Sequence, residues 1–386
     1  MVASSPTHSR PIVRLLVATS LFWASLYVYY PVLAVRAQNL GASMALIGMI
    51  VGAYGFTQLL LRIPIGVLSD RMGARKPFIM AGLVATGLAG LGLGACTDPR
   101  WLVVFRGASG VGAAAWVVFT VLYAGYWEPH RVTRAVSQVT FVGALAEMLS
   151  GLVGGMIAER WGWEAPFYVA VVLALAGLLV VFPLKEMPIA ARHSVKAGQF
   201  LRIATMPTLL VVSLIAMITS WAQWATAFGF TPIYAASLGA TRADLGLLTA
   251  ASQFGFVVFT FAAAYSVDWI GVRSTVIVGV IVQVVSAWML PAAENLWLVG
   301  VSQLLNGVGR GLSRTVLMGL SIQHVASADR ATAMGVYQAV YALGMFAGPA
   351  STGLLADSFG ISSVFLVAGA VCAVGLGLSA WKVPVK

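Results

Sequence analysis

Charge is what this sequence has least of. Of its 386 residues 9% are Asp, Glu, Lys or Arg, 60% are hydrophobic, and mean hydropathy is +0.92. A soluble domain carries roughly 25% charged residues because it must cover itself with a hydrated surface. Lacking those charges, this chain must meet lipid over most of its outside. Histidine is also scarce: His8, His130, His193 and His324 fall in tails or loops without zinc spacing. The two cysteines, Cys96 and Cys372, lie in apolar segments far apart. That excludes a disulfide framework and a cysteine metal site, and both are read as small buried hydrophobes. No P-loop is present, which excludes ATP-driven transport by this chain alone. Gly110-Val111-Gly112 and Gly307-Val308-Gly309 faintly imitate a dinucleotide fingerprint, but neither follows a strand. No cofactor and no metal are expected.

What is present is a series of long apolar runs. A helix needs about 20 apolar residues to cross a hydrocarbon core of about 30 Å, and at about 32 residues per span and connection the chain holds about twelve. The runs are 12–37, 43–67, 77–96, 100–124, 133–158, 164–184, 207–235, 243–266, 273–291, 295–318, 331–356 and 361–382. Their lengths exceed those of strands, and barrel-type alternation is absent. The first is long enough to span, so it reads as an uncleaved helix and not a signal peptide. The expected class is an all-α integral membrane protein.

The net charge of +11 does not point to nucleic acid, because the basic residues sit in short connections and form no basic face. Counted on alternate sides, fifteen Lys and Arg residues share one side and four (Arg36, Arg100, Arg160, Arg242) the other. The positive-inside bias makes the first side cytoplasmic and puts both termini there. The longest connection, 185–206, is basic and central. It divides the chain into an N-terminal half 1–184, a cytoplasmic linker 185–206 and a C-terminal half 207–386.

The halves repeat. Leu40-Gly41-Ala42-Ser43 recurs as Leu238-Gly239-Ala240-Thr241, and Gly66, Asp70, Gly73 and Arg75 recur as Ala264, Asp268, Gly271 and Arg273, all 198 positions on. At the same offset Ala158-Glu159-Arg160-Trp161-Gly162 matches Ala356-Asp357-Ser358-Phe359-Gly360. An ordered series of matches means duplication of a six-helix unit. An even span count keeps both copies facing the same way, as parallel repeats about an axis along the membrane normal.

The segment Gly66-Val67-Leu68-Ser69-Asp70-Arg71-Met72-Gly73-Ala74-Arg75-Lys76 resembles the signature loop between helices 2 and 3 of the major facilitator superfamily, G-x-L-a-D-r-x-G-r-r/k. Arg106-Gly107-Ala108-Ser109-Gly110-Val111-Gly112-Ala113-Ala114 resembles its helix-4 motif, R-x-x-x-G-x-G-a-a. With span count, central loop and repeat, the resemblance covers the whole chain. The helix-5 motif of many drug antiporters, ending G-P-x-x-G-G, departs here: it reads Ser150-Gly151-Leu152-Val153-Gly154-Gly155, and the proline appears in the second half at Gly348-Pro349. The resemblance implies a twelve-helix fold, a monomer and transport of a small solute. It also places Asp70 near the start of helix 11 at Ala331, and Asp268 near the start of helix 5. There a carboxylate on a helix N-terminus is worth roughly 0.3–1 kcal/mol. On this reading Gly66, Asp70, Arg71, Gly73, Arg75, Asp268, Gly271 and Arg273 latch the cytoplasmic side while the other side is open. The competing reading makes Arg71, Arg75 and Lys76 topology charges only.

Five charges fall within spans: Arg62, Arg106, Glu147, Arg310 and Arg314. Each costs at least a few kcal/mol there, so function is the default hypothesis. Arg314 lies near a span end and can snorkel; Arg62 lies one turn from Gln58 and can be held by it. Arg106 and Glu147 have similar depths and are expected to pair, with Glu147 as a proton carrier or as a structural partner of Arg106. Arg310 is a candidate contact for a polar or anionic substrate. Trp23, Tyr27 and Tyr30 share one face of helix 1, and Trp221, Trp224 and Phe228 one face of helix 7. The resemblance puts helices 1, 4, 7 and 10 around the central cavity, making these six an aromatic wall; the alternative is an interfacial aromatic belt.

The combined reading is a secondary transporter in the cell membrane, working by alternating access with the bilayer and a proton as partners. Proton-coupled efflux of amphipathic compounds is its first form; uptake of a sugar or organic anion and lipid flipping are the alternatives. A membrane enzyme would need several reactive side chains at one depth, and only one mid-span acid is found.

Overall fold

The computed structural model of the chain describes residues 9–128, 131–184, 186, 197–323, 325–326 and 329–383. All four histidines, most of the segment 185–196 and both chain ends lie outside them. The described residues are almost entirely helical, with no strand. In chain order the helices are α1 (Ser9–Tyr27), α2 (Tyr30–Asn39), α3 (Met44–Met72), α4 (Lys76–Ala95), α5 (Pro99–Ala114), α6 (Trp116–Gly125), α7 (Val132–Trp161) and α8 (Ala165–Val181). After them come α9 (Ala197–Ala204), α10 (Pro207–Gln223), a π-helical turn (Trp224–Phe230), α11 (Thr231–Ser237), α12 (Arg242–Ile270), α13 (Val272–Met289), α14 (Leu296–Gln323), α15 (Arg330–Phe359) and α16 (Ser362–Lys382).

Apart from the short α9, these make twelve rods among the described residues, since α1 runs into α2, α5 into α6, and α10 through the π turn into α11. Ten rods are long and apolar enough to cross a membrane. The other two are α8, an apolar helix of 17 residues, and α14, a helix of 28 residues that carries Arg310 and Arg314. Large apolar side chains stand on the outside, among them Val172, Leu179, Leu354 and Val374. A water-soluble protein would bury them; here they face the hydrocarbon. The twelve expected spans are found, with ends moved by a few residues. The helix α9 within the expected linker is an addition.

Local chemistry sets the ends. Proline opens α5 and α10, where its missing N–H costs nothing. Ser43 and Thr241 cap α3 and α12, each side chain accepting from a backbone N–H in the first turn. The six positive-φ residues among those described are all glycines: Gly41, Gly73, Gly162, Gly239, Gly271 and Gly360. They form three pairs, 41/239, 73/271 and 162/360, each 198 apart, so the repeat read from letters is also a repeat of backbone conformation.

The halves meet most tightly at the end where α3 and α12 begin. Gly155 on α7 lies so close to α12 that a Cβ there would sit 2.6 Å from the Arg242 carbonyl oxygen and from the Gly246 Cα. The equivalent pair 198 residues on is Gly353 of α15 and Gly48 of α3, with a Cβ on Gly353 3.2 Å from the Gly48 Cα. At the rim of the same seam two carboxylates cap helices of the opposite half. Asp357 accepts from the backbone N–H groups of Met44 (2.8 Å) and Ala45 (3.0 Å), and Glu159 accepts from that of Arg242 (2.9 Å). Asp357 and Glu159 are repeat partners, as are Met44 and Arg242. Each puts a negative charge on the positive end of a helix dipole. Nearby, Arg36 is buried and donates to Glu164 and to the carbonyls of Gly94 (2.9 Å) and Cys96 (3.3 Å), which holds the Glu164 carboxyl below its ordinary range.

At the opposite end, among the described residues, no hydrogen bond or ion pair joins Asp70 or Asp268 to the other half. Asp70 pairs with Arg75 of its own loop (3.2 Å), and Asp268 and Arg71 are exposed. Glu186 accepts from the backbone N–H of Arg75 (2.7 Å) and from that of Lys76, again within one half. The helix α9 is tied to the start of α15, where Asp329 accepts from Gln199 (2.6 Å) and pairs with Arg202 (3.5 Å).

Removing both capping carboxylates (Glu159→Gln with Asp357→Asn) should shift the population toward opening at the α3/α12 end by about 3- to 30-fold, at about 0.3–1 kcal/mol for each contact. Spin labels at Asn39→Cys and Ser237→Cys, with Cys96 and Cys372 replaced by Ser, read the change as a gain in the longer distance population. Gly155→Ala should move it in the same direction by crowding the seam. An unchanged distance distribution in both variants would contradict the assignment of this rim as the closing contact.

Candidate functional site

Three groups of side chains converge at mid-depth. The first is aromatic. The Tyr27 and Tyr30 rings stack at 5.3 Å, Tyr30 meets Phe228 edge-on at 4.9 Å, Phe228 lies 4.8 Å from Trp224, and Trp224 stacks on Tyr54 at 5.3 Å. Trp23 joins through Tyr27 at 5.9 Å. The first rod breaks after Tyr27, shortly before Pro31, and the rod from α10 to α11 winds as a π turn over Trp224–Phe230, just before Pro232. These irregular windings aim the rings across the seam, so five of the six expected wall residues come together. Trp221 does not join them. It packs instead with Ala222, Val284, Ala287, Ala368 and Cys372, because the change from α to π winding at Trp224 alters which side chains share a face.

The second group surrounds Arg106. Its expected partner was Glu147, and the structure does not bring the two together. Arg106 is 1% exposed and donates to the Tyr29 hydroxyl (3.0 Å) and to Ser109 Oγ (3.2 Å). Its guanidinium lies 4.2 Å from the Tyr54 ring centroid, 4.8 Å from Tyr30 and 5.7 Å from Tyr29. Depth along α5 and α7 was matched, but direction was not: tyrosine faces enclose Arg106 and take up its charge as cation–π contacts.

The third group crosses the seam. Glu147 on α7 accepts from Gln253 Nε2 on α12 (2.6 Å), and Gln253 Oε1 accepts from Arg310 on α14. An amide has one donating and one accepting end, so Gln253 can link a carboxylate to a guanidinium with both satisfied. A second bridge runs from Arg62 on α3, which donates to Gln58, to Gln338 Oε1 (3.0 Å) and to the Tyr341 hydroxyl (2.7 Å) on α15. The expected Gln58 contact is present, and the bridge across the halves is additional. Arg314 does not snorkel: its guanidinium sits 4.9 Å from the Tyr341 ring centroid.

Beside this bridge lies a small cavity of about 10 Å³, room for about one water, whose walls come from the second half, including Gln223, Gln283, Arg310, Ser313, Arg314, Tyr337 and Tyr341. Of the residues expected to line a substrate cavity, Arg310 lines this one, and the aromatic cluster stands next to it with Phe228 5.7 Å from the Arg310 guanidinium. Charge counting alone missed Gln253 and Gln283, uncharged polar residues in otherwise apolar runs, which were the available signal. Among the described residues no group of His, Cys, Asp and Glu can hold a metal.

Comparison with known proteins places the chain in a family. The family model described as Major Facilitator Superfamily matches residues 15–234 and 212–386. The inner membrane transport protein YajR of Escherichia coli is 30% identical over 366 residues, covering 92% of this chain and 80% of the relative. The multi-drug resistance efflux pump PmrA of Streptococcus pneumoniae is 25% identical, covering 89% of this chain and 88% of the relative. Among solved structures, a variant of the nucleoside transporter NupG superposes with a TM-score of 0.82 at 12% identity, over 97% of this chain and all of that one. A bacterial homologue of the human lysosomal transporter Spinster does so at 0.80 and 15% identity, over 98% and 97%. The chain is a multi-pass membrane transporter of the major facilitator superfamily.

Proposed function

We propose that this protein moves a small organic solute by alternating access and couples that movement to a proton carried by Glu147. The observation that carries this reading is the link Glu147–Gln253–Arg310, which joins the halves through the one acid that lies far from both ends of a described span. Rocking of the halves must break or remake it. A carboxylate losing its hydrogen-bond donor in a low-dielectric setting is driven to take up a proton, so the protonation of Glu147 and the opening of the seam are tied.

The basic end, carrying Asp70 and Asp268, is taken as cytoplasmic on the positive-inside count, with both termini on that side. The conformation is then closed outside, where Gly48, Gly155 and the two capping carboxylates meet, and parted inside. The signature-loop residues Gly66, Asp70, Arg71, Gly73 and Arg75, with Asp268, Gly271 and Arg273, act as the inner latch in the opposite state. The present pairing of Asp70 with Arg75 within one loop is the disengaged form. Arg106 acts on coupling indirectly, by fixing Tyr30 and Tyr54 beside the seam. The protein works as a monomer of two six-helix domains, 1–184 and 207–386, joined by the linker 185–206. Efflux of amphipathic compounds finds support in the aromatic cluster and in the likeness to an efflux pump; uptake of an organic anion finds it in the arginines of the cavity.

Purified protein in vesicles enclosing a pH-sensitive dye should move protons when the right solute is added from a panel of lipophilic cations, sugars and organic acids. Glu147→Gln should abolish that movement; proton movement equal to the native chain's would remove Glu147 from the mechanism. Asp70→Asn with Asp268→Asn should lower the population closed at the basic end by about 3- to 30-fold. Spin labels at Met72→Cys and Ile270→Cys would show this as loss of the short distance, and an unchanged distribution would leave those acids without a latching role.

A further inference from the structure

The cavity beside Arg310 has a one-sided chemistry. Arg310 and Arg314 are four residues apart on α14 and present their guanidiniums to the same side. Like charges at that spacing destabilise a helix. Burial makes it worse, because no carboxylate lines the cavity to offset them. The remaining wall adds donors: Arg310 Nε, Gln223 Nε2 and the Tyr337 hydroxyl are buried without a hydrogen-bond partner. Buried donors in native proteins are rarely left unmet. A guanidinium pair and three unmet donors around this small space describe a receptor, widened as the halves part, for a group that only accepts hydrogen bonds and carries negative charge. A lipophilic cation would meet two positive charges there and no carboxylate in the cavity wall.

The same cavity is wired to Glu147. Arg310 donates to Gln253, which donates to Glu147. The charged and titratable groups facing Glu147 are Tyr27 from α1, Tyr54 from α3, and Arg310 and Arg314 from α14; Gln253 faces it from α12. Both cations that bind the guest therefore also offset Glu147 when it is ionised. An anion entering between them competes with the Glu147 carboxylate for the same positive charge. Protonating Glu147 ends the competition, so anion and proton favour each other's binding, and by linkage the effect is reciprocal. A cationic or displaced guest would give the opposite sign, exchange instead of co-transport.

We propose that the cavity formed by Arg310, Arg314, Gln283, Ser313, Tyr337 and Tyr341 binds the carboxylate of a small organic anion, and that this anion travels together with a proton on Glu147, making the protein a proton–anion symporter. The proposal rests on the proton-coupled transport reading above and fixes its substrate class and its sign. The apolar part of the anion lies toward Phe228 and Phe256, whose ring centroids are 5.7 Å and 4.2 Å from the Arg310 guanidinium.

The test uses purified full-length protein in lipid nanodiscs, with benzoate as probe, benzamide as its neutral analogue, benzyltrimethylammonium as the cation and inorganic phosphate as a bare anion. Binding is measured at about pH 5.5 and about pH 8. Benzoate should bind at least about tenfold more tightly at the lower pH, and the other three at least about tenfold more weakly than benzoate. Arg314→Gln should lose benzoate binding by at least about tenfold while Arg314→Lys keeps most of it, which separates lost charge from lost fold. Glu147→Gln, fixed in a neutral form, should bind benzoate equally at both pH values, as tightly as the native chain does at the lower one. Failure of benzoate to bind, equal binding of benzamide or the cation, tighter benzoate binding at the higher pH, or indifference to Arg314→Gln would each overturn the proposal. Proton movement driven by cations or sugars alone would overturn it while leaving proton-coupled transport intact. Benzoate binding with the predicted pattern but no solute-driven proton movement would uphold the anion site and defeat the transport reading.

Discussion

Four guanidiniums and one carboxylate have to be carried inside a slab of hydrocarbon, and where each finds its partner decides how the two halves sit. A charge at that depth costs at least a few kcal/mol unless the protein itself supplies the counter-group. Arg106 is settled within its own half by tyrosine rings. Arg62, beyond its contact with Gln58 in its own half, and Glu147 are settled across the seam, by Tyr341 and Gln338 on one side and by Gln253 on the other. The two halves therefore hold each other's most expensive groups. Any movement that parts them must hand those groups to water, to a solute or to a proton, which is what makes the seam a place for coupling and not only for packing.

Around this centre the duplicated fold supplies closing contacts in pairs. Gly155 against Gly246 is answered by Gly353 against Gly48, and Glu159 capping α12 by Asp357 capping α3. Such contacts are individually weak, near the scale of thermal energy. Several weak, symmetric contacts at each rim suit a protein that must open either end. A single strong bond at one rim would trap it there. The centre is where symmetry is given up: Glu147 is matched by Met345 at the offset of 198, and Arg310 by Ala113 at the offset of 197 that aligns Gly110-Val111-Gly112 with Gly307-Val308-Gly309. The chemistry is asymmetric because the duplicated frame carries one site.

The architecture was legible in the sequence because lipid imposes a strong and simple pattern. Run length gave twelve rods, and the 198-residue offset gave the pairing that the six left-handed glycines repeat in their backbone. The site was legible in part. Intramembrane charge pointed to Arg62, Arg106, Glu147, Arg310 and Arg314, and aromatic spacing pointed to Tyr27, Tyr30, Trp224 and Phe228. What sequence could not give was direction around a helix axis where the winding changes. Arg106 and Glu147 have matching depths and different partners, and the π turn at Trp224 separates Trp221 from the ring cluster. Uncharged polar residues were the other gap. Gln253 costs little in a hydropathy count, yet it connects the acid to the base. Glu159 and Asp357 were read as letters in a repeat before their position over helix N-termini gave them work.

The central claim is that Glu147 couples proton to solute and is not needed for the rocking itself. Its most direct test is to compare two fluxes of radiolabelled benzoate through vesicles carrying Glu147→Gln. One is uphill accumulation driven by a proton gradient; the other is equilibrium exchange with benzoate on both sides and no gradient. The account predicts that accumulation is lost and exchange persists at a rate within about tenfold of the native chain. Loss of both fluxes, or survival of accumulation, would contradict it.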